Sequence, residues 1–197
     1  MRDLMHGWEA LPDDRLSSDG ELTAQFSALG IADYRAAGRF VSQLPYGRNA
    51  ERANFRLVLS ERRGTCSTKH AIVAALAIEN RLPVELTLGI YEMNERNTPG
   101  VGAVLAEYGL VSLPEAHCYL TCRGIRIDVT RSSINPTEPI SRFLHEEAIS
   151  PEMIGDYKVR MHQNYIREWA TRAVTGRSWE QVWNIREQCI SALSGGS

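Results

Sequence analysis

The chain has 197 residues, enough for one domain with a substantial core, and 43% of them are apolar. Its 22 Lys and Arg against 24 Asp and Glu leave a formal charge of -2, which excludes a generally basic nucleic-acid binder, because affinity for a phosphate backbone comes largely from clustered cations. No run of about 18 apolar residues occurs, and Met1 to Trp8 lack the apolar stretch of a secretory signal, so the expected setting is the cytoplasm, with no membrane partner.

Residues 1 to 20 are polar and broken by Pro12 and Gly20, which predicts a loosely packed leader or short cap. Leu22, Phe26 and Leu29 recur at helical spacing until Gly30. A second helix follows Ile31, with Tyr34, Ala37, Phe40, Val41 and Leu44 as its apolar stripe up to Pro45. Tyr46-Gly47-Arg48-Asn49 reads as a loop whose polar side chains either reach a cleft or face solvent.

The most informative stretch is Arg63-Gly64-Thr65-Cys66-Ser67-Thr68-Lys69-His70 with the alanine-rich run behind it. Gly64 permits a sharp turn and Thr65 is a good N-cap, so Cys66 falls in the first turn of a buried helix that ends near Asn80. Unpaired backbone N–H groups and the positive end of the helix dipole favour a thiolate there.

Pro83 introduces a strand over Val84 to Met93, where Val84, Leu86, Leu88 and Ile90 alternate with Glu85, Thr87 and Gly89 in the pattern of a half-buried strand. Asn97-Thr98-Pro99-Gly100 forms a turn, and Val104, Leu105 and Tyr108 mark a short helix ending at Gly109; this insert is long enough to cover a cleft. His117 to Cys122, an Arg123-Gly124 turn and Ile125 to Thr130 then read as a hairpin. Beyond Asn135-Pro136 the stretch Ile140 to Gly155 is mixed. Tyr165, Ile166, Trp169 and Val174 support one further helix, and Ser178 with Gln181 opens another as a capping box, carrying Val182, Trp183, Ile185, Cys189, Ile190 and Leu193. Residues 194 to 197 are expected to fray. The four cysteines, at 66, 118, 122 and 189, are expected as thiols, since their scatter does not resemble a disulfide framework.

An even-residue loop centred on Arg123-Gly124 sets residue 122 opposite 125, 119 opposite 128 and 117 opposite 130. His117, Tyr119, Asp128 and Thr130 then share one face, with His117 and Asp128 as diagonal neighbours. The carboxylate is placed to orient the imidazole, whose other nitrogen is left for a thiol brought by the Cys66 helix. A cysteine needs such a partner because its ordinary pKa of about 8.5 leaves little thiolate near neutrality.

Gly64-Thr65-Cys66-Ser67-Thr68-Lys69-His70 on a helix, His117 opening a strand and Asp128 on the next strand resemble the catalytic core of the transglutaminase-like superfamily, over roughly residues 60 to 135. The resemblance implies an α+β fold with a papain-like core, a nucleophile-bearing helix packed on an antiparallel sheet, and C-terminal helices over about 140 to 193, all within a single domain spanning 1 to 197. It implies a cysteine peptidase, amidase or acyl transferase, with Cys66 as nucleophile, His117 as base and then acid, and Asp128 as orienter. Cys118-Tyr119 follow His117, where many members carry an aromatic residue in the form His-Ala-Trp. The mechanism requires no metal or organic cofactor, and the expected partner is a peptide, protein or small amide substrate. For the oxyanion, the Cys66 N–H is one donor candidate and Gln43, Tyr46 or Asn49 supplies another. His70, one turn after Cys66, fits a supporting role, and Arg62 and Arg63 either bind an anion or belong to a solvated loop.

Three other readings remain open at this level. A non-catalytic binding domain would keep the fold without the chemistry. An arylamine N-acetyltransferase would be expected to carry Arg-Gly-Gly-x-Cys, which Arg63-Gly64-Thr65-Cys66 matches only in part. A structural zinc module would use Cys66, His70, Cys118 and Cys122, whose intervals are ligand-like although Cys118 and Cys122 face away from His117.

Overall fold

In a computed structural model the described residues are 5–131, 140, 142–172 and 176–194. Val174, Asn135-Pro136 and residues 195–197 lie outside them. The architecture is α+β: a five-stranded sheet in the order β1-β4-β3-β2-β5 with seven α-helices among the described residues. The strands are β1 (Met5–His6), β2 (Val84–Met93), β3 (Leu113–Cys122), β4 (Ile125–Ile127) and β5 (His145–Ile149). The sheet is mixed rather than antiparallel, because β1 runs parallel to β4 while the other pairs are antiparallel.

The helices α1 (Glu21–Ala28), α2 (Tyr34–Gln43), α3 (Leu57–Glu61) and α4 (Cys66–Glu79) precede the hairpin, α5 (Gly102–Glu107) lies between β2 and β3, and α6 (Asp156–Arg172) and α7 (Trp179–Ser194) close the chain. Helix α4 is buried along most of its length, and its alanines 71, 74 and 77 let it lie close on β2 and β3. Strand alternation assigns the two sheet faces. Leu86, Leu88, Ile90, Ala116, Cys118, Leu120 and Cys122 join Ile72, Val73 and Leu76 in the main core, whereas Tyr91, Met93 and Leu113 pack with Leu105, Ile185 and Cys189 of α5 and α7.

Strand β2 is therefore covered on both faces and not half-buried as its alternation suggested: Thr87 is 8% and Tyr91 4% exposed. Gly89 shows why a small residue stands there, since a Cβ would lie 2.4 Å from Cδ1 of Phe143, which crosses that face. The leader is also better packed than expected. Met5, Leu11 and Leu16 are buried, and β1 supplies the sheet edge beside β4.

Helix α1 starts at Gly20, which has no side chain to cap it. The cap comes instead from the end of α4, where the Glu79 carboxylate accepts hydrogen bonds from the N–H groups of Leu22 and Thr23 and from the Thr23 hydroxyl, at 3.0, 2.9 and 3.0 Å. A carboxylate on a helix N-terminus also meets the positive end of its dipole. Among the described residues no helix is long and apolar enough to cross a membrane. Glu79→Ala removes the cap and is expected to cost about 1–2 kcal/mol, read as a lower denaturation midpoint in urea with an unchanged m-value; a stability equal to the parent's would contradict the cap assignment.

Candidate active site

The site begins with the turn into α4. Thr65 is the N-cap, its hydroxyl accepting from the Thr68 N–H at 3.5 Å while the Thr68 hydroxyl accepts from the Thr65 N–H at 3.0 Å. Cys66 is thus the first helical residue, and its backbone N–H has no intrahelical partner. Gly64 serves close packing rather than an unusual torsion, since a Cβ there would lie 2.9 Å from both Lys69 Cγ and Thr68 Oγ1; the left-handed residue of this turn is Arg62, at φ 54.

The hairpin register is the one the turn chemistry implies. Cys122 pairs with Ile125, Thr121 with Arg126 and Leu120 with Ile127, around Arg123 and Gly124 with φ of 50 and 76. Pairing to β3 ends at Ile127, short of the expected Thr130. Asp128 instead donates its N–H to the His6 carbonyl of β1 at 2.8 Å, and its Oδ1 accepts from the Thr130 N–H at 2.7 Å. Its Oδ2 meets His117 Nε2 at 2.8 Å.

Because β4 stops early, the β3 edge beyond Leu120 is open on that side, and the N-terminus of α4 reaches it. The His117 side chain and the Cys118 backbone N–H act on the Cys66 sulfur and favour its charged form, and with His117 Nε2 engaged by Asp128 the ring's Nδ1 is left for sulfur. Cys66, His117 and Asp128 are brought together along one cleft. A cleft of ≈ 190 Å³ opens over them, and Tyr46, Tyr91, Thr98 and Arg131 also line it.

Burial alone would push the Cys66 thiol up, but the Lys158 ammonium, His117 and the Cys118 N–H together bring it down to about 6. Burial likewise opposes a charged His117, and the Asp128 carboxylate with the Cys66 sulfur raises it to about 10. Asp128 resists its own burial through His117 and stays well below the usual carboxylate range. Both directions favour a thiolate beside an imidazolium near neutral pH. Among the four free cysteines, only Cys66 is partly exposed; burial pushes Cys118 and Cys189 up to about 11.

Lys158, on α6, carried no signal in the sequence. Its Nζ donates to Ser67 Oγ at 2.6 Å, and that hydroxyl stands 3.9 Å from Cys66 Sγ. A single lysine on a distant amphipathic helix is indistinguishable in sequence from a solvated one.

His70 is a strut. Its fully buried ring donates from Nδ1 to the Cys66 carbonyl at 2.7 Å and accepts at Nε2 from the Val129 N–H at 2.8 Å, and burial lowers its pKa to about 4, keeping it neutral. It ties the nucleophile turn to the segment bearing Asp128. Lys69 does a parallel job, donating to the carbonyls of Leu44 and Thr130 at 2.5 and 2.7 Å.

The oxyanion candidates separate. Asn49 is fully committed: its amide donates to Glu61 and to the Arg63 carbonyl, and its oxygen accepts from Thr68. Gln43 is exposed at the end of α2 and does not line the cleft. Tyr46 does line it, placed by a parallel bridge to Gly64, and no hydrogen bond engages its hydroxyl among the described residues. Burial and the Cys66 charge push its phenol up, so it remains a donor. Arg62 and Arg63 turn away from the cleft, one over the Phe40 ring at 5.0 Å and the other 4.0 Å from Glu61. Both His70 nitrogens are spent, and among the described residues no group of three or more His, Cys, Asp or Glu converges to hold a metal, so the zinc quartet is not assembled.

No family model, curated protein or solved structure matches the chain, so the thiolate assignment rests on this geometry. The direction of the shift makes it testable. A thiol lowered to about 6 reacts with iodoacetamide at rates that rise through about pH 6 and then stay level, instead of rising through the ordinary value of about 8.5. Lys158→Met is expected to move that midpoint up by about one unit or more; an unmoved midpoint, measured by peptide mass spectrometry at Cys66, would remove Lys158 from the site.

Proposed function

We propose that the protein catalyses thiol-dependent acyl chemistry on an amide or peptide bond, with hydrolysis as the outcome. The observation that carries this reading is the Cys66, His117, Asp128 chain, in which sulfur is held as a thiolate and the ring beside it as an imidazolium. The order of a helix-borne cysteine, a strand-borne histidine and a following aspartate supports a transglutaminase-like enzyme on a papain-like core.

The Cys66 thiolate attacks the carbonyl carbon, forming a C–S bond and a tetrahedral oxyanion. The Cys66 backbone N–H, free at the helix start, and the Tyr46 hydroxyl are the donors for that oxyanion. His117 then gives its proton to the leaving amine as the C–N bond breaks, leaving a thioester and a neutral imidazole. The neutral ring takes a proton from water, which attacks the thioester carbon; collapse of the second tetrahedral species returns the acid product and the thiolate beside the imidazolium. Asp128 keeps its charge throughout and holds the ring in the tautomer and orientation that both steps need.

Hydrolysis is preferred to transfer because transfer requires a second amine that outcompetes water at the thioester. Four free thiols suit a reducing compartment and agree with a cytoplasmic setting.

An activated ester tests the covalent step before the natural substrate is known. With 4-nitrophenyl acetate the parent protein is expected to release a burst of one equivalent of nitrophenolate and to carry an acetyl group on the Cys66 peptide. Cys66→Ala should give neither, and Tyr46→Phe should slow acylation by about tenfold or more. Acetylation at another residue, or an equal burst from Cys66→Ala, would overturn the reading.

A further inference from the structure

We propose that the cleft takes an acyl donor bearing a carboxylate, with Arg131 as the residue that receives it; this deepens the thiol-acyl reading above and rests on it. Every carboxylate in or directly behind the cleft wall already has a cation. Glu115 is held by Arg186 through two bonds of 2.7 and 2.6 Å, Asp128 by His117, and Glu187 by Arg48 and Arg186. The cations are not matched in the same way. Lys158 bonds a neutral hydroxyl, Lys69 bonds two carbonyls, Arg96 lines the cleft on the β2–α5 side, and Arg131 at the rim lies with its guanidinium 5.8 Å from the centre of the Tyr46 ring and no carboxylate partner among the described residues. The Cys66 thiolate offsets one of these charges. The remainder is an excess of positive charge among the described residues around the cleft, on a chain whose formal charge is -2.

The same wall carries unused hydrogen-bonding capacity. The Thr130 hydroxyl is buried with no hydrogen-bond partner among the described residues. The rest of the lining mixes the apolar groups of Tyr91, Pro99, Ile140 and Leu193 with Arg96, Asn97 and Thr98. A donor with an anionic group on the Arg131 side and an apolar body along α7 fits this lining. The Tyr46 ring lies beside the guanidinium, whose planar fork of donors suits a carboxylate.

Two alkylating agents that differ in one group test this without a known substrate. Iodoacetate and iodoacetamide displace iodide at the same carbon, and only the first carries a carboxylate. The ratio of their second-order rate constants at Cys66, measured at pH 7.5 by peptide mass spectrometry, cancels any change in sulfur nucleophilicity common to both. Arg131→Gln is expected to lower that ratio on the order of fivefold, as loss of one nearby charge at an intermediate effective dielectric would, and Arg131→Lys to restore most of it. A ratio unchanged in a folded Arg131→Gln protein would overturn the proposal while leaving the thiolate intact. Cys66 that reacts with neither reagent in the parent would instead sink the thiol-acyl reading, and this proposal with it.

Discussion

Three charges set between a helix end and an open sheet edge are stable only in register with one another. A buried thiolate, imidazolium or carboxylate alone would neutralise itself or cost several kcal/mol, and removing one member of such a set strands the others. Cys66, His117 and Asp128 satisfy each other in sequence, and the surrounding fold is arranged to keep their spacing fixed. His70 binds the carbonyl of Cys66 at one ring nitrogen and the N–H of Val129 at the other, so the nucleophile and the residue after Asp128 are tied by one rigid, neutral ring. Lys69 spans from the end of α2 to Thr130 on the same route.

The length of β4 decides whether these groups meet. Helix α4 packs on the face of the sheet that carries Cys118 and Leu120, while His117 and Tyr119 point to the other face. A full-length β4 would occupy the edge of β3 and separate them. Because pairing ends at Leu120 and Ile127, the chain carrying Asp128 leaves β3, bonds to β1 through His6, and exposes the edge where the Cys118 N–H acts on the Cys66 sulfur. The two-residue strand β1, the least conspicuous element of the sheet, fixes the position of the acidic member.

The parts of this site that were legible in the sequence are those set by local rules. Thr65 before Cys66 marks a helix start, and Arg123-Gly124 between two alternating segments fixes the register that brings His117 near Asp128. Helices α1, α2 and α4, strand β2 and the Ser178 capping box follow from periodicity and caps in the same way. What was not legible depends on distant partners. Strand β1 has two residues, α3 has five, and β5 reads His-Glu-Glu-Ala-Ile, too polar to stand out, because it is an edge strand whose Glu146 and Glu147 reach Arg126 and Tyr157. Asn49 and Tyr46 sit three residues apart in one loop and look equally suited to stabilise an oxyanion, yet tertiary contacts spend one and leave the other free. Lys158 is the clearest case: its role exists only because α6 lays it against Ser67.

The central claim is that His117 and Cys66 share their proton as an ion pair. Nitrogen-15 spectra of His117 report this directly, since the two ring nitrogens shift together when both are protonated, and the chain has only 5 histidines to assign. At pH 8 the account predicts a doubly protonated His117 ring, because its pKa stands at about 10, and a lower His117 pKa once Cys66 is replaced by alanine, with Asp128 still raising it. A neutral His117 at pH 8 in the parent protein, titrating near its ordinary value, would contradict it.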